Sequence, residues 1–227
     1  KEQVKTMFNN IAGRYDFLNR VLSMRVDVYW RNRAIKRLKK YQPKTILDVA
    51  CGTGDFTIAA LKTGATKIIG VDISVQMLEA GIKKINDKKL ADKITLIEGD
   101  SENLQFEKNT FDACTVAFGV RNFENLQKGL DEIYRVLNTG APIVVLEFSK
   151  PKSFPFKQLY NFYFSTILPA IGRLVSGDSR AYTYLFESVS AFPEGDAFIH
   201  FLKQAGFKNC TCPRLSLGIC SLYIAEK

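Results

Sequence analysis

The stretch that decides the fold lies at residues 46–55 and has the sequence ILDVACGTGD. Its first half is an apolar strand, and its second half is a turn that contains Gly52 and Gly54. Glycine lacks a Cβ, so the backbone turns tightly at these positions and lets a bound molecule approach the main chain. A second strand, KIIGVD at residues 67–72, ends on Asp72, whose carboxylate is suited to accept hydrogen bonds from a ribose. The two strands predict a nucleoside-type cofactor at the carboxyl ends of a parallel sheet.

Apolar strands alternate with helical segments along the chain, which is typical of a parallel sheet with helices on both faces. The alternation therefore predicts an α/β fold in which 1–227 form a single domain with a mostly parallel seven-stranded sheet. The strands are expected at 45–50, 67–72, 94–98, 111–118 and 141–148, with closing strands at 207–212 and 217–225. Helices are expected at 55–62, at 74–85 with Ser74 as N-cap, at 124–137, and at 193–206 with Pro193 in the first turn and Gly206 as the stop.

Size and composition are those of an ordinary globular domain, with 227 residues of which 46% are hydrophobic and 24% are charged. No run of eighteen or more uncharged apolar residues occurs, so the sequence predicts no membrane span. Five cysteines without disulfide or zinc spacing indicate reduced thiols in a cytoplasmic protein and no metal site. Because Lys1 takes the place of an initiator Met and no signal peptide is visible, we expect the natural chain to begin earlier.

Positive charge is concentrated in the first forty residues, which hold eleven Lys and Arg against three acids in a chain of net charge +9. The spacing of Trp30, Ala34 and Leu38 predicts an amphipathic helix with basic side chains on its other faces. We therefore expect residues 1–42 to form a basic N-terminal helical cap held by one apolar stripe. A further interpretation is that this helix also contacts anionic lipid headgroups at the membrane surface.

The chain changes in character after Pro151. Six aromatic side chains fall within the eleven positions 154–164, and Lys157, Asn161 and Pro169 interrupt this apolar region. Such a segment belongs either to the core or to the wall of an apolar substrate pocket. We predict a helical, aromatic-rich insertion over 151–190, after strand five and on the substrate side.

The residues around the glycine turn indicate which nucleoside is bound. A dinucleotide fingerprint would have glycine where this chain has Thr57. Asp48 precedes the turn, where it is placed to organise the loop and to face a cationic group, and Asp100 with Ser101 follows the third strand. Polar groups there would lie along the edge of an adenine ring.

This ordered set resembles the S-adenosylmethionine-dependent methyltransferases of the Rossmann-like class I. The resemblance implies S-adenosylmethionine as cofactor, bound by Asp48, Gly52, Thr53, Gly54, Asp72, Asp100 and Ser101. In that family the glycine turn cradles the amino-acid part of the cofactor and Asp72 binds the ribose hydroxyls. Asp100 and Ser101 would flank the adenine.

Other segments carry a closer resemblance, namely YDFLN at 15–19, FGVRN at 118–122, LEFS at 146–149 and ESV at 187–189, together with RVLNTG at 135–140. They are similar to the demethylmenaquinone methyltransferases, which C-methylate polyprenyl quinols in menaquinone and ubiquinone biosynthesis. The resemblance covers essentially the whole chain. It implies conversion of demethylmenaquinol to menaquinol and a polyprenyl quinol as the substrate.

Methylation of a ring carbon needs an electron-rich ring, and ionising the neighbouring hydroxyl supplies the electron density. A cation near that oxygen favours the ionised form. Arg121, on the loop after strand four, is our candidate for this catalytic role, with a structural ion pair as the alternative. Tyr15 and Asp16 are candidates for positioning the substrate or relaying a proton, with a core tyrosine and a helix cap as their structural alternatives.

Three other functions remain open at this point. One is methylation of a benzoquinol of the ubiquinone pathway, and another is an RNA methyltransferase, which the isoelectric point near 9.3 would suit. The third is a non-enzymatic protein that binds the cofactor or a lipid. Because no RNA-binding module is visible, we expect no nucleic-acid partner. We expect a cytoplasmic enzyme with peripheral contact at the anionic inner face of the membrane.

Overall fold

The computed structural model describes residues 1–22, 25–162, 166 and 180–227, and within 14–22, 161 and 180–183 it describes the backbone alone. A sheet of eight strands forms its centre, one strand more than the seven that the sequence predicts. The strands are β1 (Thr45–Val49), β2 (Lys67–Asp72), β3 (Ile94–Glu98), β4 (Ala113–Ala117), β5 (Pro142–Phe148), β6 (Lys208–Thr211), β7 (Arg214–Leu215) and β8 (Cys220–Glu226). The additional strand is β7, which the sequence does not predict because two residues are too few to show an alternating pattern.

The strand order is β3-β2-β1-β4-β5-β8-β6, with β7 paired to β8. The first five strands run parallel, whereas β8 lies antiparallel between β5 and β6. We call the side on which β1 to β5 end the carboxyl edge of the sheet and the opposite side the amino edge. In a parallel sheet with crossover helices, ligands bind at the carboxyl edge where the strand order reverses, here between β1 and β4.

Helices cover both faces of the sheet. They are α1 (Glu2–Leu22), α2 (Val26–Leu38), α3 (Asp55–Ala60), α4 (Val75–Asp87), α5 (Leu126–Val136), α6 (Phe156–Phe162), α7 (Arg180–Ala191) and α8 (Asp196–Gln204). Apolar residues of α2, α3 and α4 pack on one face in a single buried cluster. Those of α5 and α8 pack on the other face. The predicted doubly covered α/β sheet, with a helical extension before it, is confirmed.

Local capping agrees with the sequence in one helix and differs in another. Ser74 caps α4, because its Oγ accepts a hydrogen bond from the Met77 N–H at 3.3 Å. Helix α8 starts at Asp196, so the prediction that Pro193 occupies its first turn is wrong. Gly195 is the N-cap, with φ of 67°, and its N–H donates to the Tyr223 hydroxyl at 2.7 Å. The predicted stop is confirmed, since Gly206 has φ of 103°.

The apolar stripe of α2 is buried as predicted at Trp30, Ala34 and Leu38. The predicted insertion over 151–190 begins with α6 and ends with α7, while 163–165 and 167–179 lie outside the described residues. Among the described helices, none combines the length and the apolar character needed to cross a bilayer.

Candidate active site

The glycine turn leaves β1 at the carboxyl edge. Ala50, Gly52 and Gly54 have φ of 54°, 56° and 77°, and the turn closes with a hydrogen bond from the Gly54 N–H to the Cys51 carbonyl at 2.9 Å. A Cβ placed on Gly52 would meet no atom within 4 Å, so open space lies directly over the turn. The turn is therefore built as a cradle that a ligand is able to reach.

Helix α4 supports this turn from behind. A Cβ placed on Gly81 would stand 3.1 Å from the carbonyl carbon and oxygen of Thr53, so the helix approaches the turn backbone closely. One helical turn later, Lys84 Nζ donates to Thr53 Oγ1 at 3.2 Å and to Asp55 Oδ1 at 2.6 Å. The buried Thr53 side chain thus contacts α4, which fixes the shape of the turn.

Asp48 is buried at the end of β1. The hydroxyls of Thr57 and Thr115 donate to its two carboxylate oxygens at 2.5 and 2.6 Å. Burial raises the pKa of Asp48 to about 6, and the two hydroxyls only partly oppose this shift. Asp48 therefore ties β1 to α3 and β4.

Asp72 joins the glycine turn to the end of β2. Its Oδ2 accepts from the Gly52 N–H at 2.7 Å and its Oδ1 accepts from the Ser74 N–H at 2.9 Å. Burial raises the pKa of Asp72, and the backbone donors oppose that shift. A carboxylate oxygen accepts two hydrogen bonds, so each oxygen keeps capacity for a ribose hydroxyl.

Asp100 and Ser101 follow β3, next to Asp72. Asp100 accepts from the Glu102 N–H and from Lys1 Nζ, both at 2.9 Å. Although burial opposes ionisation, these hydrogen bonds lower the pKa of Asp100. Its carboxylate is therefore negative at neutral pH and able to accept a hydrogen bond from an adenine amino group.

Part of this set meets in one pocket at the carboxyl edge, which holds about 740 Å³ of empty space including its open mouth. Gly52, Asp72, Asp100 and Ser101 line the pocket, and Val4 with Phe8 of α1 lines it from the N-terminal extension. In the described part of the chain, the lining does not include Asp48, Thr53 or Gly54, which stand behind the wall.

The lining fits a nucleoside bearing a charged amino-acid arm. Asp72 offers free acceptor capacity for a diol, while Ile73 and Met77 supply apolar surface for a flat base beside Asp100. The open space over Gly52 leaves room for the arm next to the turn. The residues present thus suit S-adenosylmethionine, and they would hold it through these contacts.

A buried ion pair lies beside the pocket. Arg121 Nη1 is 2.9 Å from Glu147 Oε1, with side-chain exposures of 6% and 0%. Arg121 also donates to the Phe118 carbonyl and, through Nε, to Ser188 Oγ at 3.3 Å. Burial raises the pKa of Glu147, and Arg121 opposes the shift. Three separate motifs, FGVRN, LEFS and ESV, therefore converge on one cluster.

Sequence reasoning missed Asn122 and Tyr184. Asn122 lines the pocket, and its Oδ1 accepts from the Tyr184 hydroxyl at 3.0 Å. Tyr184 precedes Ser188 by one turn of α7, so the two side chains share a helix face. That spacing, read with the ESV motif, is the signal that could have identified Tyr184. The contacts join α7 to the wall of the pocket.

Two predicted catalytic side chains are outside the described residues, and one motif lies away from the pocket. Tyr15 and Asp16 are in α1, but their side chains are outside the described residues. Arg135, from the RVLNTG motif, donates to the carbonyls of Phe106 and Leu104 at 2.7 and 2.8 Å. It thereby holds a loop near the amino edge. In the described residues, no group of three His, Cys, Asp or Glu side chains could hold a metal ion.

Known structures share this fold. A SAM-dependent methyltransferase from Thermotoga maritima superposes with a TM-score of 0.69 over 98% of this chain and 99% of that chain, at 17% identity. Phosphoethanolamine N-methyltransferase 2 of Haemonchus contortus, solved with S-adenosyl-L-methionine, gives 0.62 over 86% of this chain and 52% of that chain, at 15% identity. At these identities the likeness concerns the fold alone.

Sequence comparison goes further. Demethylmenaquinone methyltransferase of Bacteroides fragilis is 46% identical over all of this chain and 93% of its own. The Porphyromonas gingivalis protein of the same name is 44% identical with the same coverage. The ubiquinone/menaquinone biosynthesis C-methyltransferase UbiE of Geotalea daltonii is 45% identical over all of this chain and 97% of its own. Residues 1–227 match the ubiE/COQ5 methyltransferase family. The chain belongs to that family and is an S-adenosylmethionine-dependent methyltransferase.

Proposed function

We propose that this enzyme transfers a methyl group from S-adenosylmethionine to a ring carbon of a polyprenyl hydroquinone, converting demethylmenaquinol to menaquinol. The names of the Bacteroides and Porphyromonas relatives support this substrate. The observation that carries the proposal is the convergence of Arg121, Glu147 and Ser188 beside the cofactor pocket. These residues come from the motifs that resemble quinol methyltransferases and not from the general cofactor-binding set.

Aromatic side chains beside this cluster suit a planar ring. The ring of Phe118, which lines the pocket, lies 4.6 Å from that of Phe148 and 5.9 Å from that of Trp30, between centroids. Offset or tilted aromatic contacts at such distances are favourable. We therefore assign the hydroquinone ring to the space next to Phe118, between the cofactor pocket and α7.

The chemistry requires a carbon nucleophile. S-adenosylmethionine supplies an electrophilic methyl group when bound. The new bond joins this methyl to the ring carbon, the sulfur–methyl bond breaks with its electrons left on sulfur, and the ring proton leaves to a base. The enzyme must hold the carbon about 3–3.5 Å from the methyl group and favour the ionised hydroxyl.

Arg121 is our candidate for favouring that ionised form. Guanidinium has five N–H donors and remains protonated. Among the described residues, its side-chain hydrogen bonds use Nη1 and Nε, so we assign the phenolate oxygen to Nη2. Glu147 fixes the guanidinium in place and at the same time offsets part of its charge. Tyr15 and Asp16 remain candidates for proton relay or substrate positioning.

The direct test is methyl transfer from radiolabelled S-adenosylmethionine to a chemically reduced, short-chain demethylmenaquinol. Label at the ring carbon of the extracted product is the expected result. Absence of transfer, with cofactor binding confirmed by calorimetry, would overturn the proposed substrate. A benzoquinol is the acceptor to assay in parallel, because the Geotalea relative is named for both quinone pathways.

To test the role of Arg121, a variant is needed that does not leave Glu147 as an unpaired buried charge. Removing one partner of a buried ion pair costs about 3–5 kcal/mol, so Arg121→Ala alone would confound folding with catalysis. The double variant Arg121→Met with Glu147→Gln removes both charges. We expect kcat to fall roughly 100- to 1,000-fold, the effect of losing one electrostatic stabiliser. The loss should shrink as pH rises, because an ordinary phenol ionises near pH ~10 without help.

Arg135→Met is the matched control, since it removes an arginine at the amino edge. We expect this variant to lose thermal stability, because Arg135 holds a loop in place. Its kcat should stay within about twofold, because that loop lies away from the pocket. An unchanged kcat in the double variant, with an intact fold by circular dichroism, would remove Arg121 from the catalytic mechanism.

A polyprenyl tail also places the substrate in a bilayer. We therefore propose that the enzyme works in the cytoplasm at the inner face of the membrane, as a peripheral protein.

A further inference from the structure

The exposed apolar side chains of this protein are unevenly distributed. In the described part of the chain, four large apolar residues are more than half exposed, namely Phe154 (80%), Leu159 (60%), Phe162 (57%) and Leu217 (64%). We call these four residues the apolar edge surface. Single exposed apolar residues are ordinary, but several together mark an interaction site.

All four residues lie in segments that leave or enter the sheet at its carboxyl edge. Phe154, Leu159 and Phe162 lie in or just before α6, which comes directly after β5. Leu217 lies in the turn before β8, whose first residue, Cys220, pairs with Phe148 at the end of β5. The edge that carries the cofactor pocket therefore also carries the most exposed apolar side chains.

Hydrogen bonds tie the two parts of this surface together. The Ser149 N–H donates to the Ile219 carbonyl at 2.9 Å, and Ser149 Oγ donates to the Gly218 carbonyl at 2.8 Å. Arg214 Nη1 donates to the Lys150 carbonyl at 3.1 Å. The start of the α6 segment is thus fixed against the turn that presents Leu217.

The chain segment that carries three of these four residues is positively charged. Lys152 and Lys157 are exposed on either side of Phe154. Between residues 149 and 177 the sequence contains no Asp or Glu. Exposed Phe and Leu side chains flanked by lysines are typical of surfaces that lie in the headgroup region of an anionic bilayer.

The exposed basic residues at the C-terminal end of α2 and just after it lie at the other end of the molecule. Tyr41, just after α2, donates to Glu226 at 2.6 Å, and Glu226 pairs with Pro142 where β5 begins. The exposed Lys36, Arg37 and Lys40 therefore lie toward the amino edge. Lipid contact through this basic helix stays a prediction, and these three exposed cations lie at the opposite edge of the sheet from the pocket.

From this arrangement we propose that the apolar edge surface docks on an anionic lipid bilayer, with the cofactor pocket facing the membrane and the basic end of α2 facing away. The proposal rests on the proposed function, because a polyprenyl quinol dissolved in lipid must reach the carboxyl edge. Phe154, Leu159, Phe162 and Leu217 enter the interface, and Lys152 with Lys157 contacts lipid phosphates.

The test is co-sedimentation of the full chain with vesicles of phosphatidylcholine and phosphatidylglycerol. The triple variant Phe154→Ser, Leu159→Ser and Leu217→Ser should weaken vesicle binding by at least tenfold, since full burial of even one such side chain is worth about that factor. Ile82→Ser on α4 is the matched apolar control, and Lys36→Gln with Lys40→Gln is the matched basic control. Both should bind as the parent protein does.

Every other result overturns the proposal. It fails if the parent protein does not bind the vesicles, if the triple variant binds equally well, or if the basic control loses binding instead. A triple variant that binds vesicles normally but loses self-association by light scattering would assign the surface to a second copy of the chain. Turnover of a short-chain, water-soluble quinol separates this proposal from the substrate assignment, because it should be unchanged in the triple variant and absent if the assignment is wrong.

Discussion

Replacing Asp48 by Asn removes an ionisable group from the interior at nearly constant volume. In the parent protein both carboxylate oxygens accept threonine hydroxyls, and burial raises the pKa from 3.8 to about 6. Asn keeps one acceptor oxygen, but its amide nitrogen faces one of the hydroxyls and requires that hydroxyl to reorient. This rearrangement costs about 1 kcal/mol at every pH.

The pH-dependent part of the effect has a definite sign. The folded pKa lies above the unfolded value, so the contribution of protonated Asp48 to stability is complete below pH 3.8 and is lost as pH rises through 6. A shift of about two units corresponds to roughly 3 kcal/mol, and about half of it develops above pH ~5. Relative to the parent, Asp48→Asn should therefore gain about 1.5 kcal/mol of unfolding free energy between pH ~5 and ~7.5.

Urea unfolding followed by circular dichroism at both pH values measures this difference. Asp112→Asn is the control, because hydrogen bonds from Thr45 and Lys44 lower the pKa of Asp112 in spite of partial burial. Stability linked to Asp112 is present above its unfolded pKa and is lost only as pH falls below it, so its variant should show no change in this window. A pH-independent difference between Asp48→Asn and the parent protein would refute the reasoning.

Two further changes test the pocket itself. Asp72→Asn should weaken S-adenosylmethionine binding by roughly 10- to 100-fold in calorimetry, because an amide cannot accept both backbone N–H groups and a diol as well. Asp48→Asn should weaken it less, since that side chain stands behind the wall, and the reverse order would contradict our placement of these acids. Gly119→Ala would put a Cβ 2.5 Å from the Cβ of Ala50. The strain should lower the free energy of unfolding by about 1–3 kcal/mol, with a matching drop in melting temperature, and an unshifted melting curve would argue against that packing.

The sequence predicts most of the sheet because its strands are short apolar runs bounded by turn residues. It also predicts where Asp72, Asp100 and Ser101 lie, since side chains that follow neighbouring parallel strands must meet at one edge. Ser74 was recognisable because capping is a local interaction within four residues. These features depend on short stretches of chain or on the parallel topology alone.

The remaining features depend on contacts between distant parts of the chain. Arg121 could be named as a cation, but its pairing with Glu147 and Ser188 requires the side-by-side placement of β4, β5 and α7. Asp48 lies behind the pocket wall because Thr115 reaches it from β4, which no local pattern reveals. Helix α8 starts after Gly195 and not at Pro193. Both residue types are common at helix N-termini, so the sequence alone does not distinguish them, whereas the hydrogen bond from Gly195 to Tyr223 depends on tertiary packing.

The position of β8 has a consequence for how the protein is made. This strand is the last in chain order, yet it pairs along the full length of β5 and lies between β5 and β6 inside the sheet. During synthesis the cofactor-binding half, β1 to β5, emerges first, and β5 then waits with an open hydrogen-bonding edge until residues 149–219 have been added. An unpaired apolar edge strand is a template for aggregation. The growing chain is therefore most vulnerable at a stage when its cofactor-binding strands are already complete.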